Sequence, residues 1–425
     1  MNAFDRVIGY ESVKKELLQI CDMIHNYATY EKLGAKMPKG VLLYGAPGLG
    51  KSLLAECFIE ESGLPSYILR RDVGGDQFSN KIAETFELAK KNKPSIILLD
   101  DMDKFSEEGG RLRDSEEYVT VQSCMDNLKN EDVFVIATAN RIEKLPRSLL
   151  RSGRFDRTYK LNPPHDKDAE AIIKYYLSQK KVAEDINYAD IAKMVSYSSC
   201  ADLEKIINEA AINAAYQNKE SIEMSDIIRA ILRLWYDQDD DLPKRDKEEL
   251  KKTAIHEAGH VVVSEILKSG SVGLASIQSQ TDSEIGGFVH LCEKTNNRRE
   301  DILISLAGKV ATEMHYSDTC ARGCSTDLSK AIDLIRAGVT ANGTCGLSFV
   351  DVSGFEDSPS DVYLSNVENI IHSELERYVF KVRQILLTNS EFFKKIVEML
   401  LEKEILISSD IAKIRESVKI TEVAI

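Results

Sequence analysis

Residues 41–44, VLLY, run straight into GAPGLGKS and then into LLAECFIEES, and this junction restricts the fold more than any other stretch of the chain. A short apolar run, a glycine-rich turn and a helix in that order form a phosphate-binding loop, which requires a buried strand in a parallel sheet with a crossover helix behind it. The backbone amides of residues 48–51 would cradle a β-phosphate, Lys51 would reach the β- and γ-phosphates, and Ser52 would ligate Mg²⁺. Gly45, Ala46, Pro47, Gly48, Leu49 and Gly50 shape the turn, and Leu53 closes the candidate ATP site. A second apolar run, Ser95–Leu99, ends in Asp100, Asp101 and Asp103. On a strand next to the P-loop strand, these carboxylates would hold Mg²⁺ through water and polarise an attacking water. A third run at 133–137 leads into Thr138, Ala139 and Asn140, and a loop downstream carries Arg154 and Arg157.

A different chemistry is written at 253–263, TAIHEAGHVVV. In a helix, His256 and His260 leave the same face one turn apart and can grip one Zn²⁺, while Glu257 reaches a metal-bound water as general base. With 7 His in 425 residues, an accidental HExxH arises on the order of 0.01 times per chain. The small and apolar neighbours predict a buried helix, and Gly259 predicts close packing against it. Spacing alone leaves the third ligand open among Glu313, His315 and Asp327, since a carboxylate or a third imidazole suits zinc equally. The stretch Gly286, Gly287, Phe288, Val289, His290, Leu291 reads as a strand edging a substrate groove.

The length suits two or three domains, and a net charge of −14 argues against a nucleic-acid partner held by overall charge. No apolar run approaches the ~18 residues needed to cross a bilayer, and the first residues lack the pattern of a signal or transit peptide. A cytoplasmic chain without an integral membrane segment is therefore expected. The 8 scattered Cys, with Cys320 and Cys324 the nearest pair, fit reduced thiols better than a zinc knuckle.

The segments PKGVLLYGAPGLGKSLLAE, SIILLDDMD, VFVIATAN and RSGRFDR, in this order, resemble the AAA+ ATPases. That resemblance implies adenine contact at Ile8 and Gly9, a sensor role near the γ-phosphate for Asn140, and arginine fingers at Arg154 and Arg157 that complete a neighbouring subunit's site. It also implies a ring, most often a homo-hexamer. Two departures stand out. Asp101 replaces the family's Glu and would set its carboxylate back from the attacking water, which predicts slow hydrolysis. The stretch SYILRRDVGGDQFSNKIAETF lacks the aromatic-hydrophobic-Gly triplet that grips polypeptide in the pore, and Phe78 reads as a core residue beside Ile82 and Phe86.

Helical stripes through Leu203 to Ala214 and through Ile222 to Leu234 fit the four-helix lid that follows an AAA+ module, with Cys200, Ala201 and Asp202 in the place of the family's Gly-Ala-Asp. The expected organisation is α/β nucleotide-binding module 1–166, helical lid 167–236, acidic linker 237–243, and a mainly α zinc metallopeptidase domain 244–425. In that last part HEAGHVVV, LAGKVATEM, CSTDLSKAIDLIRAGV and the helical C-terminal segments resemble the peptidase domain of the FtsH-type proteases. This second resemblance implies Asp327 as third zinc ligand, with Glu313 behind it, and leaves His290, His315 and His372 as structural. Taken over both modules, the resemblance covers nearly the whole chain from its fourth residue, and does not include the two-helix membrane anchor usual in the family. The function implied is ATP-dependent zinc endopeptidase action on polypeptide substrates. The alternative is a nucleotide-switched scaffold or remodeller whose zinc domain is structural or weakly active.

Overall fold

The computed structural model describes residues 2–72, 75–106, 115–128, 131–236, 238, 246–278, 286–293, 295, 297–316, 323–340 and 361–423. Nearly all of the acidic linker, Cys320, and Val73 and Gly74 of the expected pore segment lie outside them. Two compact units divide the chain: one holds 1–172 and 197–205, the other 173–196 and 206–425.

In the first unit a 3-10 turn (Ala3–Arg6) leads to α1 (Glu11–His25) and α2 (Tyr27–Glu31), then β1 (Gly40–Tyr44), α3 (Lys51–Ser62), β2 (Ser66–Leu69), α4 (Gly75–Lys91), β3 (Ser95–Leu99), α5 (Glu116–Asn127), β4 (Val133–Ala139) and β5 (Arg157–Lys160). The strands form one parallel sheet in the order β2-β3-β4-β1-β5. Continuous apolar strands are what a sheet covered on both faces demands. Leu42, Ile97, Leu99, Val133, Val135 and Ala137 pack against α4 and α5. Val41, Leu43, Ile96, Leu98, Phe134 and Ile136 pack against α1 and α3. This order corrects the expectation that the acidic strand adjoins the P-loop strand. The longer, fully buried β4 lies between them, as the strand-order reversal of a doubly wound sheet requires. Phe78 is fully buried, edge-on to Phe105 at 4.9 Å, with Ile82 and Phe86 in the same core.

Four helices follow: α6 (Asp166–Ser178), α7 (Tyr188–Met194), α8 (Cys200–Tyr216) and α9 (Met224–Tyr236). The remainder builds α10 (Lys247–Leu267), β6 (Val272–Ser276), β7 (Phe288–Leu291), α11 (Arg298–His315), α12 (Gly323–Thr340), α13 (Asp361–Thr388), α14 (Ser390–Lys403), β8 (Ile405–Ile407) and α15 (Ser408–Glu416). The HEAGH stretch of α10 is buried, although the first turns of the helix are exposed: Ala254, Ile255, Ala258 and Val261 to Val263 are at most 3% exposed and join one core with α11, α13 and α14. A Cβ on Gly259 would stand 2.6 Å from the carbonyl of Ala307, so glycine is what lets α10 and α11 touch backbone to backbone. The three strands pair antiparallel in the order β7-β6-β8, which leaves β7 at an edge. Among the described residues no helix is long and apolar enough to cross a membrane.

Candidate metal centre and nucleotide site

α10 holds His256 and His260 on one face, and α12 delivers Asp327 to them. His256 Nε2 and His260 Nε2 are 3.1 Å apart, and Asp327 Oδ2 lies 3.2 and 3.1 Å from them. Three donors bonded to one tetrahedral zinc at about 2.0–2.1 Å would stand roughly 3.3 Å from one another, so the trio fits the ion closely. Among the described residues it is the one group of His, Cys, Asp or Glu with ligand atoms gathered this way. The donor set attracts positive charge. Burial opposes a charge on His256, yet Asp327 and Cys324 beside it carry its imidazole up to about 10. Burial likewise opposes the Asp327 carboxylate, which the two imidazoles nevertheless hold far below the usual range.

Groups behind the ligands set their orientation. His260 Nδ1–H donates to the carbonyl of Ile304 at 2.8 Å, leaving the Nε2 lone pair for a metal. His256 Nδ1 faces Cys324 Sγ at 3.6 Å. Glu313 forms its ion pair with Lys309, and His315 turns its Nδ1 to the carbonyl of Ala311, so of the three candidates Asp327 alone joins the histidines. His372 sits near Glu376 on the surface. Glu257 is 5% exposed, and burial raises its carboxyl above the ordinary value.

Two glycines make room for this geometry, and neither is recognisable from composition. A Cβ on Gly308 of α11 would lie 2.5 Å from His256 Nε2 and from His260 Nε2. A Cβ on Gly287, one residue before β7, would lie 2.9 Å from Glu257 Oε1 and 2.6 Å from the carbonyl of Ser276. Gly308→Ala is therefore expected to push the imidazoles apart and weaken zinc binding by about 10–100-fold, the cost usual for disturbing the support of a metal ligand. Chelator competition on the folded variant checks this; unchanged affinity would mean that α11 moves aside freely.

In the parallel sheet, the loop after β1 turns through Gly48 and Gly50 at φ +78° and +81°, the left-handed region that favours glycine. Lys51 Nζ bonds the carbonyls of Gly45 and Ala46 at 2.9 and 2.7 Å. Ser52 Oγ donates to Asp100 Oδ1 at 3.1 Å, so α3 spans the gap that β4 opens between β1 and β3. Asp100 also accepts from Thr138 Oγ1 at 2.7 Å and from Arg70. Burial opposes its ionisation, but these bonds outweigh it and keep the carboxyl below its ordinary value. Thr138 Oγ1 accepts the Asp101 amide at 2.9 Å, which ties the acidic turn to β4. Asn140 Nδ2 donates to Asp101 Oδ1 at 3.2 Å and Lys104 to Oδ2 at 2.7 Å. The roles of Thr138 and Arg70 toward the acidic turn are not legible in the sequence, because a threonine closing an apolar strand and an arginine after one carry no recognisable pattern.

Ile8 is half-buried, and Gly9, at φ +79°, backs directly onto the Asp168 side chain, where a Cβ would lie 2.9 Å from the carboxyl. The start of α8 lies against the loop: the Ala201 amide donates to the Gly48 carbonyl at 3.1 Å. Arg154 and Arg157 are not brought to this loop. The Arg154 carbonyl would touch a Cβ on Gly40 at 2.8 Å, and Arg157 pairs with Val41, so their backbones lie toward the far end of β1, about 13 and about 10 Å from where the P-loop leaves it. Arg154 bonds Asp126 at 2.9 Å and the carbonyl of Ser148 at 2.6 Å; Arg157 bonds Glu16 at 2.8 Å.

A parallel sheet with this loop, followed by a helical HExxH–Asp centre, defines an ATPase module joined to a zinc-peptidase module. The family described as "ATPase family associated with various cellular activities (AAA)" matches residues 41–163, and Peptidase family M41 matches 244–414. The chain is 32% identical to the ATP-dependent zinc metalloprotease FtsH of Mycoplasma genitalium over 98% of its own length and 63% of that protein's. It is 31% identical to the FtsH of Mycoplasma pneumoniae over 98% and 62%, and 32% identical to that of Streptococcus pneumoniae over 99% and 68%. The chain belongs to the FtsH family of ATP-dependent zinc metalloproteases.

Proposed function

We propose that this chain is a subunit of a ring, a hexamer by family expectation, in which ATP hydrolysis with Mg²⁺ feeds polypeptide to a zinc endopeptidase site; a cytoplasmic location accords with the scattered spacing of its 8 cysteines in the sequence. The observation that carries this reading is the convergence of His256, His260 and Asp327 beside the buried Glu257. Zinc, when bound, polarises the scissile carbonyl and acidifies a water. Glu257 takes the water's proton and passes it to the leaving amine, and its burial makes it a stronger base than an exposed carboxylate. The edge of β7 that pairs with no other strand among the described residues, close to Glu257 at Gly287, offers backbone groups to an extended chain.

At the nucleotide site, residues 45–53 with Asp100 hold the triphosphate and Mg²⁺, Ile8 and Gly9 meet the adenine, and Asp101 with Asn140 holds the attacking water against the γ-phosphate. Arg154 and Arg157, remote from their own loop, serve the neighbour's. The module boundaries at 166, 236 and 243 complete this reading. Casein degradation measured with ATP, with a non-hydrolysable analogue and without nucleotide tests it. Cleavage only under hydrolysis is expected, with a stably folded tagged protein largely spared because the pore segment lacks its aromatic. Zinc-loaded protein that never cleaves would overturn the reading. Asp101→Glu is expected to raise ATP turnover several-fold by advancing the carboxylate about 1.5 Å toward the water; phosphate release that stays level or falls would remove Asp101 from that role.

A further inference from the structure

β7 is held in the second unit by residues that precede the peptidase helices. His290 Nε2 meets Ser196 Oγ at 2.9 Å, and its Nδ1 meets the Tyr236 hydroxyl at 3.2 Å. The Tyr236 ring stacks on Phe288 with centroids 3.7 Å apart and planes within 14°, and Trp235 flanks His290. Burial keeps His290 neutral by lowering its pKa and pushes the Tyr236 hydroxyl up to about 12. The ring thus gives one hydrogen bond and takes one, which both hydroxyls can complement. The segment carrying Ser196 is itself seated firmly. Gly273 of β6 has no Cβ, and one there would stand 2.3 Å from the carbonyl of Lys193. Lys193 Nζ bonds Ser408 Oγ at 2.9 Å, and Asp190 accepts the Ser409 amide at 3.1 Å.

Residues 196–201 run from this strap to the nucleotide loop. Ser196 bonds His290, and five residues on, Ala201 bonds the Gly48 carbonyl. Between them Ser199 presses so closely on the loop that a Cβ on Gly48 would lie 2.6 Å from its hydroxyl. We propose that His290 is a positioning residue: with Ser196 and Tyr236 it sets the height of β7 above Glu257, and through residues 196–201 it makes that height depend on whether the phosphate cradle is filled. This rests on the roles assigned above to the P-loop and Glu257. Nucleotide binding by itself, before hydrolysis, then readies the edge strand for substrate.

Hydrogen exchange of residues 286–293 in the full chain, with and without a non-hydrolysable ATP analogue, tests the coupling without relying on cleavage. In the wild type the analogue is expected to change exchange in β7 about fivefold, the worth of one hydrogen bond. In Ser196→Ala and His290→Leu that difference disappears, while the analogue still protects the P-loop. His290→Gln, which keeps a donor and an acceptor, restores part of it. For a short peptide that needs no threading, KM rises in Ser196→Ala more than kcat falls. A wild-type β7 indifferent to nucleotide, or a Ser196→Ala protein with the full difference, would overturn the proposal. Zinc-loaded wild type that cleaves nothing while its β7 still responds would overturn the peptidase reading and leave the coupling standing.

Discussion

Glu257→Gln is expected to retain one zinc per chain and to cleave peptide at least about a hundredfold more slowly than the wild type, the lower bound usual for losing a general base. The amide matches the carboxylate in shape and fits the same space, which Gly287 leaves open by lacking a Cβ, but it cannot accept the proton of the attacking water. It also stands outside the three-atom ligand set. Asp327→Ala supplies the contrast. It removes one of three ligands and should lose zinc along with activity, so metal content separates two variants that cleavage assays cannot. A folded Glu257→Gln protein without zinc would make Glu257 a ligand and undo the assignment. Unchanged zinc in Asp327→Ala would move the third ligand elsewhere.

Arg154→Ala is expected to lower ATP hydrolysis about a thousandfold or more while nucleotide binding stays close to normal, the effect of removing an arginine that meets transition-state charge. The competing explanation is local, since Arg154 also ties the loop before β5 to Asp126 on α5. Asp126→Ala breaks the same tie without touching the charge, and should hydrolyse ATP at nearly the wild-type rate. Mixing Arg154→Ala subunits with Lys51→Ala subunits should return part of the activity, because some sites then combine an intact loop with an intact arginine. No recovery in rings known to exchange subunits, or an Asp126→Ala protein equally inactive, would make Arg154 a structural residue.

Much of this site is legible in the sequence because its chemistry is local. Residues 45–52 make one turn and the HEAGH histidines sit one helical turn apart, so the backbone alone dictates what each group can reach. Asp327 is different. It lies 67 residues beyond His260, Glu313 and His315 are chemically as suitable, and the resemblance to FtsH-type proteases, rather than spacing, singled it out. The packing of α12 against α11 is what brings Asp327 Oδ2 within 3.2 Å of both histidines and leaves Glu313 with Lys309.

The sequence by itself determined the parallel α/β module, the buried helix with two metal-directed histidines, the acidic turn after β3 and the helical C-terminal end, since each follows from periodicity or from a few adjacent residues. Only the tertiary structure decided that β4 separates the P-loop strand from the acidic strand, and that Thr138 and Ser52 bridge the gap to Asp100. It alone decided that Gly308 and Gly287 vacate the space around the histidines and Glu257, and that His290 straps the edge strand to Ser196 and Tyr236. The physical reason is common to all of these. They are contacts between elements far apart in the chain, fixed by which surfaces pack together, and a side chain or a missing Cβ acquires its meaning only when its neighbour from another element arrives.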